Sequence, residues 1–316
     1  MASIRKRKIG KKNYLYAEHS FRLPDKSVKK LSKLVKEDSE LYGREVKDYF
    51  LEKEALANKE FSLKKFKLDS VFTEQEIYKL EQARVGFRKI MKKLTPKQKQ
   101  DVLDRFTANF TYESNALEGN SLTLKDVTLI LGENIVPKNK DLREIYETKN
   151  TREVHELLFN GQIKITKKDM IKIHSILVKD TGVSSGFKKL PNYLVMRDLA
   201  TTPPEKVEQE LDKLIEWYNS NQDKMHPLKL ATEFHARFEA IHPFDDGNGR
   251  TGRILLNAML LEKGYPPLIV RKTTRIAYFS ALEAFDNKHK LKLERFMLEK
   301  LKDTYRKFFE VYVKYL

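Results

Sequence analysis

The chain has 316 residues, of which 40% are hydrophobic and 34% charged, and its formal net charge is +17. This composition excludes a disordered chain, and no apolar run approaches the roughly 20 residues that a membrane helix needs. The sequence has no cysteine, which excludes disulfides, thiolate nucleophiles and cysteine zinc sites. We therefore expect a cytoplasmic protein without membrane contact.

The N-terminal segment is strongly basic. Residues 1–36 contain twelve Lys or Arg against two Asp or Glu, so they carry +10 of the net charge. Such a block can bind nucleic acid or an acidic partner, or it can be a solvated surface. No nucleic-acid motif or aromatic platform accompanies the charge. We therefore favour the solvated surface and do not expect nucleic acid as a partner.

Strand patterns are confined to the N-terminus and one later segment. Residues 13–23 alternate in polarity and carry aromatic side chains, which predicts one or two short strands. After them, Val28, Leu31, Leu34 and Val35 are spaced like one face of a helix. We therefore predict helical structure from this point onward.

Threonine residues mark several helix starts. Thr95-Pro96 predicts the start of a helix that runs to about Leu117, because proline suits the first helical position. An acidic residue follows three positions after each of three other threonines, as in a capping box; these are Thr73, Thr123 and Thr166.

The second half continues as helices with one interruption. Residues 141–160 and 169–179 have helical patterns, and helices resume from about Glu205. Between them, Phe187 to Met196 predicts a hairpin or extended flap. The last predicted helix covers Leu291 to Leu316, and Trp217 is predicted to be core.

A short loop between two predicted helices contains several groups that can react or bind ligands. It follows His242, whose imidazole can accept a proton near neutral pH, and Pro243 ends the preceding helix. Asp246 is a hard oxygen ligand suited to Mg²⁺. Gly247 and Gly249 allow close backbone approach, and amides leading into a helix N-terminus form an anion-binding nest.

Two arginines complete this set. Arg250 and Arg253 are three positions apart in the first turns of the following helix, so both can direct guanidinium groups at phosphate oxygens. A base, a metal-binding carboxylate, a phosphate nest and two arginines within twelve residues predict phosphoryl or nucleotidyl transfer.

This string resembles the signature of the Fic (filamentation induced by cAMP) family, His-x-Phe-x-Asp/Glu-Gly-Asn-Gly-Arg-x-x-Arg. All specified positions match; they are His242, Phe244, Asp246, Gly247, Asn248, Gly249, Arg250 and Arg253. The resemblance covers about residues 100–300. It implies an all-α Fic-like fold with a small β-hairpin flap, here with short N-terminal strands in addition. We predict an N-terminal region over residues 1–95 and the Fic core over 96–316.

The resemblance implies a protein adenylyltransferase that uses ATP and Mg²⁺. By analogy, His242 deprotonates the target hydroxyl and Asp246 holds Mg²⁺. Gly247, Asn248, Gly249 and Arg250 hold the phosphates. Relatives of the Doc type, which act as kinases, have Lys in place of this Gly249, so its presence favours AMP transfer over phosphorylation.

A second motif resembles the inhibitory motif of the family, Ser/Thr-x-x-x-Glu-Gly/Asn. It comprises Ser114 and Glu118, one turn apart on a predicted helix covering about residues 100–118. By analogy, Glu118 forms a bidentate salt bridge with Arg253 and withholds that arginine from the γ-phosphate. The resemblance therefore implies an autoinhibited enzyme, and in some relatives the same glutamate supports AMP removal.

Three weaker assignments follow from the resemblance. Residues 186–196 correspond to a flap that aligns the target segment, although the family often has Arg near Lys188 or Lys189. Tyr278 corresponds to the region near the adenine and is predicted to bind the nucleotide, with core packing as the alternative. His235 is interpreted as a packing residue.

Several alternatives remain open at this stage. One is a non-catalytic module that binds nucleic acid or protein through the basic N-terminus. Another is a different diphosphate donor, such as UTP or CDP-choline, in the same nest. The target protein is not identified, and a homodimer is one option for the oligomeric state.

Overall fold

The computed structural model describes residues 3–35, 40–194 and 199–313, without the side chains of residues 40–42, 44 and 313. The chain divides into two compact units, Met1–Lys89 and Ile90–Leu316. The boundary predicted from the sequence, after residue 95, lies a few residues further along. No helix within the described ranges is both long enough and apolar enough to cross a membrane.

The first unit contains a three-stranded antiparallel sheet in the order β1-β2-β3. The strands are β1 (Ser3–Ile9), β2 (Lys12–Arg22) and β3 (Val28–Val35), followed by helix α1 (Glu40–Lys65). Apolar side chains from β2, β3 and α1 meet in a small core. Ala17, Val35, Val46 and Phe50 form this cluster, with a second one made by Phe21, Leu23 and Ala57.

The helical prediction for Val28 to Val35 is wrong, because this segment is strand β3. It pairs with β2 from Leu15↔Val35 to Arg22↔Val28. The side chains of β3 alternate between exposed and less exposed positions, with Val35 buried. The apolar residues fit a helical spacing by coincidence, while pairing with β2 satisfies the backbone and decides the structure.

The second unit is mostly helical. Helix α2 (Glu74–Lys93) enters it, and α3 (Pro96–Leu117), α4 (Leu124–Thr128) and α5 (Leu142–Phe159) follow. The chain continues through α6 (Lys167–Leu177), α7 (Val207–Asn221), α8 (Pro227–Ile241) and α9 (Asn248–Glu262). It ends with α10 (Arg275–Asp286), α11 (Lys290–Tyr305) and the short α12 (Val311–Val313).

Helices α8 and α9 pack against each other at the centre of the second unit. Helices α6 and α5 pack on α9, and α7, α10 and α11 pack on α8. Phe234 and Phe238 of α8 and Leu255 and Leu260 of α9 are fully buried. The loop joining these two helices, which carries the predicted chemistry, is therefore anchored at both ends by the most buried part of the core.

The predicted flap is a hairpin of β4 (Tyr193–Leu194) and β5 (Leu199–Ala200), paired antiparallel. Its tip, including Met196, lies outside the described residues. Trp217, predicted as core, is only half buried, because it lies near the surface with the Arg237 guanidinium 4.3 Å from its ring centroid. After α11 the predicted C-terminal helix continues as a π-helical segment, Arg306–Glu310.

Helix α3 begins as predicted. The Thr95 hydroxyl accepts a hydrogen bond from the Gln98 amide at 3.3 Å, and the Gln98 side chain accepts one from the Thr95 amide at 3.0 Å. This reciprocal pair is a capping box with Pro96 at the first helical position. The backbone amides of Thr95 and Gln98, which have no acceptor within the helix, are both hydrogen-bonded in this way.

We expect Thr95→Ala to lower the free energy of unfolding by about 1 kcal/mol, because the cap is lost. Urea unfolding followed by circular dichroism measures the change. Lys97→Ala, in the same exposed turn but outside the cap, is the matched control and should change stability by less than about 0.5 kcal/mol. Equal effects of the two substitutions would contradict a role for the cap.

Candidate active site

His242 ends helix α8 in an unusual backbone conformation. It has φ 52° and ψ 62°, in the left-handed region, and its amide donates to the Phe238 carbonyl at 2.9 Å. Its ring is half buried, with Nδ1 3.3 Å from the Glu239 carbonyl oxygen. A proton on Nδ1 donated to this carbonyl leaves Nε2 as the basic nitrogen. The left-handed residue turns the chain abruptly and directs it into the loop.

Phe244 anchors the loop. It is fully buried, and its ring stacks on His174 with centroids 3.8 Å apart and planes at 7°. The Asn248 side chain accepts from the Phe244 amide at 2.9 Å and donates to the Phe244 carbonyl at 2.8 Å. Asn248 was predicted to hold phosphate, but in this arrangement its side chain is committed to the loop. Its contribution to an anion site would come from its backbone amide.

The N-terminus of α9 provides the predicted nest. Gly247 is its N-cap with φ 78°, and the helix runs for 15 residues from Asn248. A Cβ at Gly247 would lie 3.4 Å from Val178 and 3.5 Å from His174, so the turn also packs closely against α6. The first amides of α9 have no helical acceptor, and the helix dipole favours an anion in front of them.

Asp246 and Arg250 belong to a network of charged groups that sequence reasoning missed in part. Arg143 of α5 contacts the Asp246 carboxylate, and Arg250 lies 3.5 Å from it. Glu147, one turn after Arg143, lies 3.3 Å from Arg250. The Arg143/Glu147 spacing was a visible signal for a helical ion pair. Nothing in the sequence showed that this face of α5 meets the loop.

The surroundings of Asp246 fit a magnesium ion that is shared with a nucleotide. Its side chain is 38% exposed and lies in front of the α9 N-terminus. Within the described residues no group of three or more His, Asp or Glu could hold a metal alone. Mg²⁺ commonly binds through one or two carboxylates together with phosphate oxygens and water. Asp246 is the residue that would hold it.

Arg253 is engaged by the predicted inhibitory motif. Its Nε donates to the Ser114 hydroxyl at 2.9 Å, and its Nη2 donates to the Ser114 carbonyl at 3.0 Å and to Glu118 Oε1 at 2.8 Å. Only one carboxylate oxygen takes part, so the bidentate geometry predicted for Glu118 and Arg253 is wrong. Ser114 takes the Nε donor, so the pair of donors Nε and Nη2 is shared between the serine and Glu118.

The electrostatics of Arg253 follow from this setting. The side chain is 3% exposed, and burial alone would lower its pKa. The negative neighbour Glu118, with Tyr278 and Glu239 behind it, outweighs burial and raises the pKa of Arg253 above its ordinary value. The guanidinium is thus held as a buried cation that requires an anion close by.

Glu118 also lies directly over the N-terminal turn of α9. A Cβ added at Gly249 would lie 2.1 Å from Glu118 Oε1 and 2.8 Å from Arg253 Nη1. These distances are below van der Waals contact, so a larger residue at this position would have to displace the Glu118 side chain. The Glu118 carboxylate therefore occupies the space in front of the predicted phosphate nest.

Helix α3, which carries the inhibitory motif, is fixed to the rest of the unit by further contacts. The Glu113 carboxylate accepts from the Lys272 amide at 2.7 Å and from Arg271 at 3.4 Å. Arg275 Nε donates to the Leu117 carbonyl at 2.9 Å. Glu118 is the C-cap residue just beyond these contacts, and its side chain is 36% exposed. The helix is held firmly, and its final carboxylate extends into the site.

Tyr278 and His235 lie behind Arg253. Tyr278 is 1% exposed, and its hydroxyl is 2.6 Å from His235 Nε2. The two rings stack with centroids 6.1 Å apart. His235 therefore has the packing position predicted for it. The nucleotide-binding role of Tyr278 stays a prediction, and in this structure its hydroxyl is engaged by His235.

Lys188 connects the flap to the loop. Its Nζ donates to Asn192 Oδ1 at 2.8 Å and to the Thr201 hydroxyl at 2.6 Å. Its backbone amide donates to the Pro243 carbonyl at 2.9 Å. Lys188 is 3% exposed, and this burial lowers its pKa to about 8. Lys188 thus ties the two residues that flank the flap strands, Asn192 and Thr201, to Pro243 after His242.

His174, under the loop, makes the site sensitive to acid. It is fully buried, and burial lowers its pKa to about 4 from 6.5. Because the folded pKa lies below the unfolded value, the neutral form is favoured by folding. This stabilisation is complete above about pH 6.5 and is lost as the pH falls towards about 4. The shift corresponds to at most about 3 kcal/mol.

We expect the urea unfolding midpoint to fall between about pH 6.5 and about pH 4. His174→Asn removes this titration and should make the decline shallower than in the native chain. His155 is also fully buried, and burial lowers its pKa to about 3. It is present in both proteins and therefore lowers the unfolding midpoint at acidic pH equally in both. Identical slopes for the two proteins would contradict the role of His174.

We expect Gly249→Ala to destabilise the chain by about 1–3 kcal/mol, because its Cβ meets Glu118 and Arg253. In the Glu118→Gly background the first of these clashes is absent, so the cost should be clearly smaller. A double-mutant cycle from urea unfolding measures this coupling. Additive effects would show that Glu118 does not lie over Gly249 in solution.

Comparison with known proteins identifies the region that carries this loop. The Fic/DOC family profile matches residues 164–260. A protein named protein adenylyltransferase Fic from Nematostella vectensis is 29% identical over 248 residues, 77% of this chain and 57% of that protein. Protein adenylyltransferase fic-1 from Caenorhabditis elegans is 30% identical over 180 residues, 55% of this chain and 35% of that protein. The chain therefore spans only about half or less of these relatives.

Solved structures show the same fold. A Fic domain containing signaling protein from Bacteroides thetaiotaomicron has a TM-score of 0.65 at 24% identity, covering 72% of this chain and 94% of that one. A Fic-1 fragment from C. elegans has a TM-score of 0.58 at 19% identity, covering 74% and 80%. The mostly helical fold with a small hairpin flap is thereby confirmed. Residues 164–260, with the loop from His242 to Arg253, form a domain of the Fic/DOC family.

Proposed function

We propose that this protein transfers AMP from ATP to a Ser, Thr or Tyr hydroxyl of a target protein, and that its resting state is autoinhibited. The observation that carries the proposal is the position of Glu118. It contacts Arg253 at 2.8 Å in front of the α9 N-terminus, within a complete Fic loop. The names of the relatives, protein adenylyltransferase, support the reaction type.

In this proposal different residues of the loop bind the phosphates and the metal ion. The backbone amides at the start of α9, with Arg250, bind the phosphates, and Arg253 binds the terminal phosphate when it is released from Glu118. Asp246 holds Mg²⁺, which neutralises phosphate charge when bound. For the ion to bind, Asp246 has to leave Arg143, which contacts it in this structure.

His242 acts as the general base. Its Nε2 accepts the proton of the target hydroxyl while that oxygen attacks the α-phosphorus. The new O–P bond forms as the bond from the α-phosphorus to its bridging oxygen breaks, and pyrophosphate leaves. The contact of Nδ1 with the Glu239 carbonyl oxygen, at 3.3 Å, supports a tautomer in which Nε2 is the basic nitrogen. The flap is tied to Pro243 through Lys188, and in this proposal it would align the target segment beside this base.

Gly249 supports AMP rather than phosphate as the transferred group, since the kinase relatives have lysine at this position. A lysine there, as in the kinase relatives, would begin with a Cβ 2.1 Å from Glu118 Oε1. Such a side chain is incompatible with the resting arrangement in this structure. The same glycine therefore supports both adenylyl transfer and inhibition by Glu118.

One observation favours a second, reverse activity at the same site. The Glu118 side chain is 36% exposed while it lies beside Gly249. A carboxylate in contact with both solvent and the phosphate nest can orient a water molecule for hydrolysis of an AMP–protein bond. UTP or CDP-choline as donor remains an alternative for the same nest.

We expect Glu118→Gly to increase AMP incorporation strongly, by about 10-fold or more, because Arg253 becomes available for the terminal phosphate. Incubation with ATP labelled at the α-phosphate, Mg²⁺ and a cell lysate measures incorporation into protein. The double variant Glu118→Gly/His242→Ala is the matched control and should give none, since it lacks the base.

Three outcomes would contradict parts of this proposal. Equal labelling by Glu118→Gly and the native chain would rule out inhibition by Glu118. Label from the γ-phosphate of ATP in place of the α-phosphate would show kinase chemistry. Absence of label in every variant, together with no ATP-dependent thermal shift, would rule out adenylyl transfer from ATP and leave other donors to be tested.

A further inference from the structure

The hairpin of β1 and β2 in the first unit is basic and exposed. Residues 3–17 contain six Lys or Arg and no Asp or Glu. Every position of β1 is exposed, as are Gly10 to Asn13 around the turn. Helix α1 packs on β2 and β3, and the described part of β3 pairs with β2 only from Leu15 onward. The hairpin end, residues 7–9 paired with residues 12–14, therefore extends beyond β3 as a two-stranded ribbon, and β1 is exposed along its whole length.

The charges of this ribbon lie on both of its faces. Successive side chains of a strand point to opposite sides, so Arg5 and Arg7 share one face while Lys6 and Lys8 share the other. Arg7 pairs with Tyr14 and Lys8 with Asn13 across the hairpin. Lysines 11 and 12 follow at the turn.

Most of these charges lack an acidic neighbour. Arg5 and Arg7 share a single carboxylate, that of Glu18, which lies 3.2 Å from Arg5. The structure shows no ion pair to a described residue for the four lysines of the ribbon; these are Lys6, Lys8, Lys11 and Lys12. Four unpaired cations in seven residues create a positive field that attracts a polyanion.

The shape of the ribbon favours duplex DNA over a lipid surface as its ligand. The two strands of the hairpin end lie about 5 Å apart and reach about 10 Å beyond β3. The major groove of B-DNA is about 12 Å wide and about 8.5 Å deep, so it admits a two-stranded ribbon of this length. A flat lipid surface would contact one face only. A groove has phosphates along both walls, so it can use the lysines and arginines of both faces.

The aromatic residues of the ribbon argue against single-stranded nucleic acid as the ligand. Tyr16 lies on the ribbon, but the Arg7 guanidinium is 5.0 Å from its ring centroid, and Tyr14 and Tyr16 are half buried. Stacking of unpaired bases needs accessible ring faces.

We propose that the β1–β2 ribbon binds duplex DNA in the major groove through phosphate contacts of its lysines and arginines. This binding is an activity separate from adenylyl transfer.

The test is fluorescence anisotropy of the full chain with a labelled DNA duplex of about 20 base pairs. With about four phosphate contacts, the affinity should fall about 100-fold between about 50 and about 200 mM salt. The variant with Lys6, Lys8, Lys11 and Lys12 changed to Ala should bind about 10- to 100-fold more weakly and with a shallower salt dependence.

The matched control removes the same charge elsewhere. Lys97, Lys99, Lys125 and Lys168 are exposed on helices of the second unit, and their joint change to Ala should leave DNA affinity within about threefold of native. Parallel arms use duplex RNA, single-stranded DNA and vesicles containing phosphatidylserine. Duplex RNA should bind more weakly than DNA, because its major groove is deep and narrow.

The outcomes decide between support and rejection. Preferential DNA-duplex binding that is lost in the ribbon variant and kept in the control supports the proposal. Equal losses in both variants would attribute binding to net charge alone and overturn it. Tighter binding to vesicles or single strands, equal binding of duplex RNA and DNA, or no DNA binding at about 50 mM salt would overturn it as well.

Discussion

The resting state of the second unit depends on one buried cation. Arg253 is 3% exposed in the first turns of α9, where an unpaired charge would cost several kcal/mol. Ser114 and Glu118 satisfy it through three hydrogen bonds. In the proposed function a terminal phosphate would satisfy the same guanidinium. Two anions cannot both occupy this place, so in the proposed function nucleotide binding would compete directly with Glu118 for Arg253.

The loop beside Arg253 is built to keep its shape during such an exchange. Phe244 is fixed by the Asn248 side chain and by stacking on His174. Lys188 and Asn192 attach the flap to the same loop, the latter by donating to the Phe244 carbonyl at 3.1 Å. The backbone amides that face the site are thus positioned before a ligand arrives. Preorganisation of this kind lowers the reorganisation that binding and reaction would require.

The sequence predicted the helical fold, the flap and the loop well, because these rest on local signals. Capping residues such as Thr95 and the run of glycines around Asn248 act on their immediate neighbours. Val28 to Val35 was mispredicted because strand pairing with β2 is a non-local interaction. Arg143 was missed as part of the site, and the hydrogen bonds of Lys188 were not predicted, for a similar reason. Their roles depend on which helix face and which strand meet the loop, and spacing alone does not determine that.

The attachment of α3 has a kinetic meaning for the proposed inhibition. Three hydrogen bonds hold this helix to the rest of the unit, between Glu113 and Lys272, Leu117 and Arg275, and Ser114 and Arg253. The Glu118 carboxylate, which lies beyond them, is 36% exposed. Because Glu118 and Arg253 belong to the same chain and the same compact unit, the proposed inhibition would act at a fixed effective concentration that dilution cannot change. Release then requires rotation of one side chain, an event of nanoseconds or slower rather than a subunit dissociation. The fraction of open sites would follow the nucleotide and any ligand that moves Glu118, and would be independent of how much of the protein a cell contains.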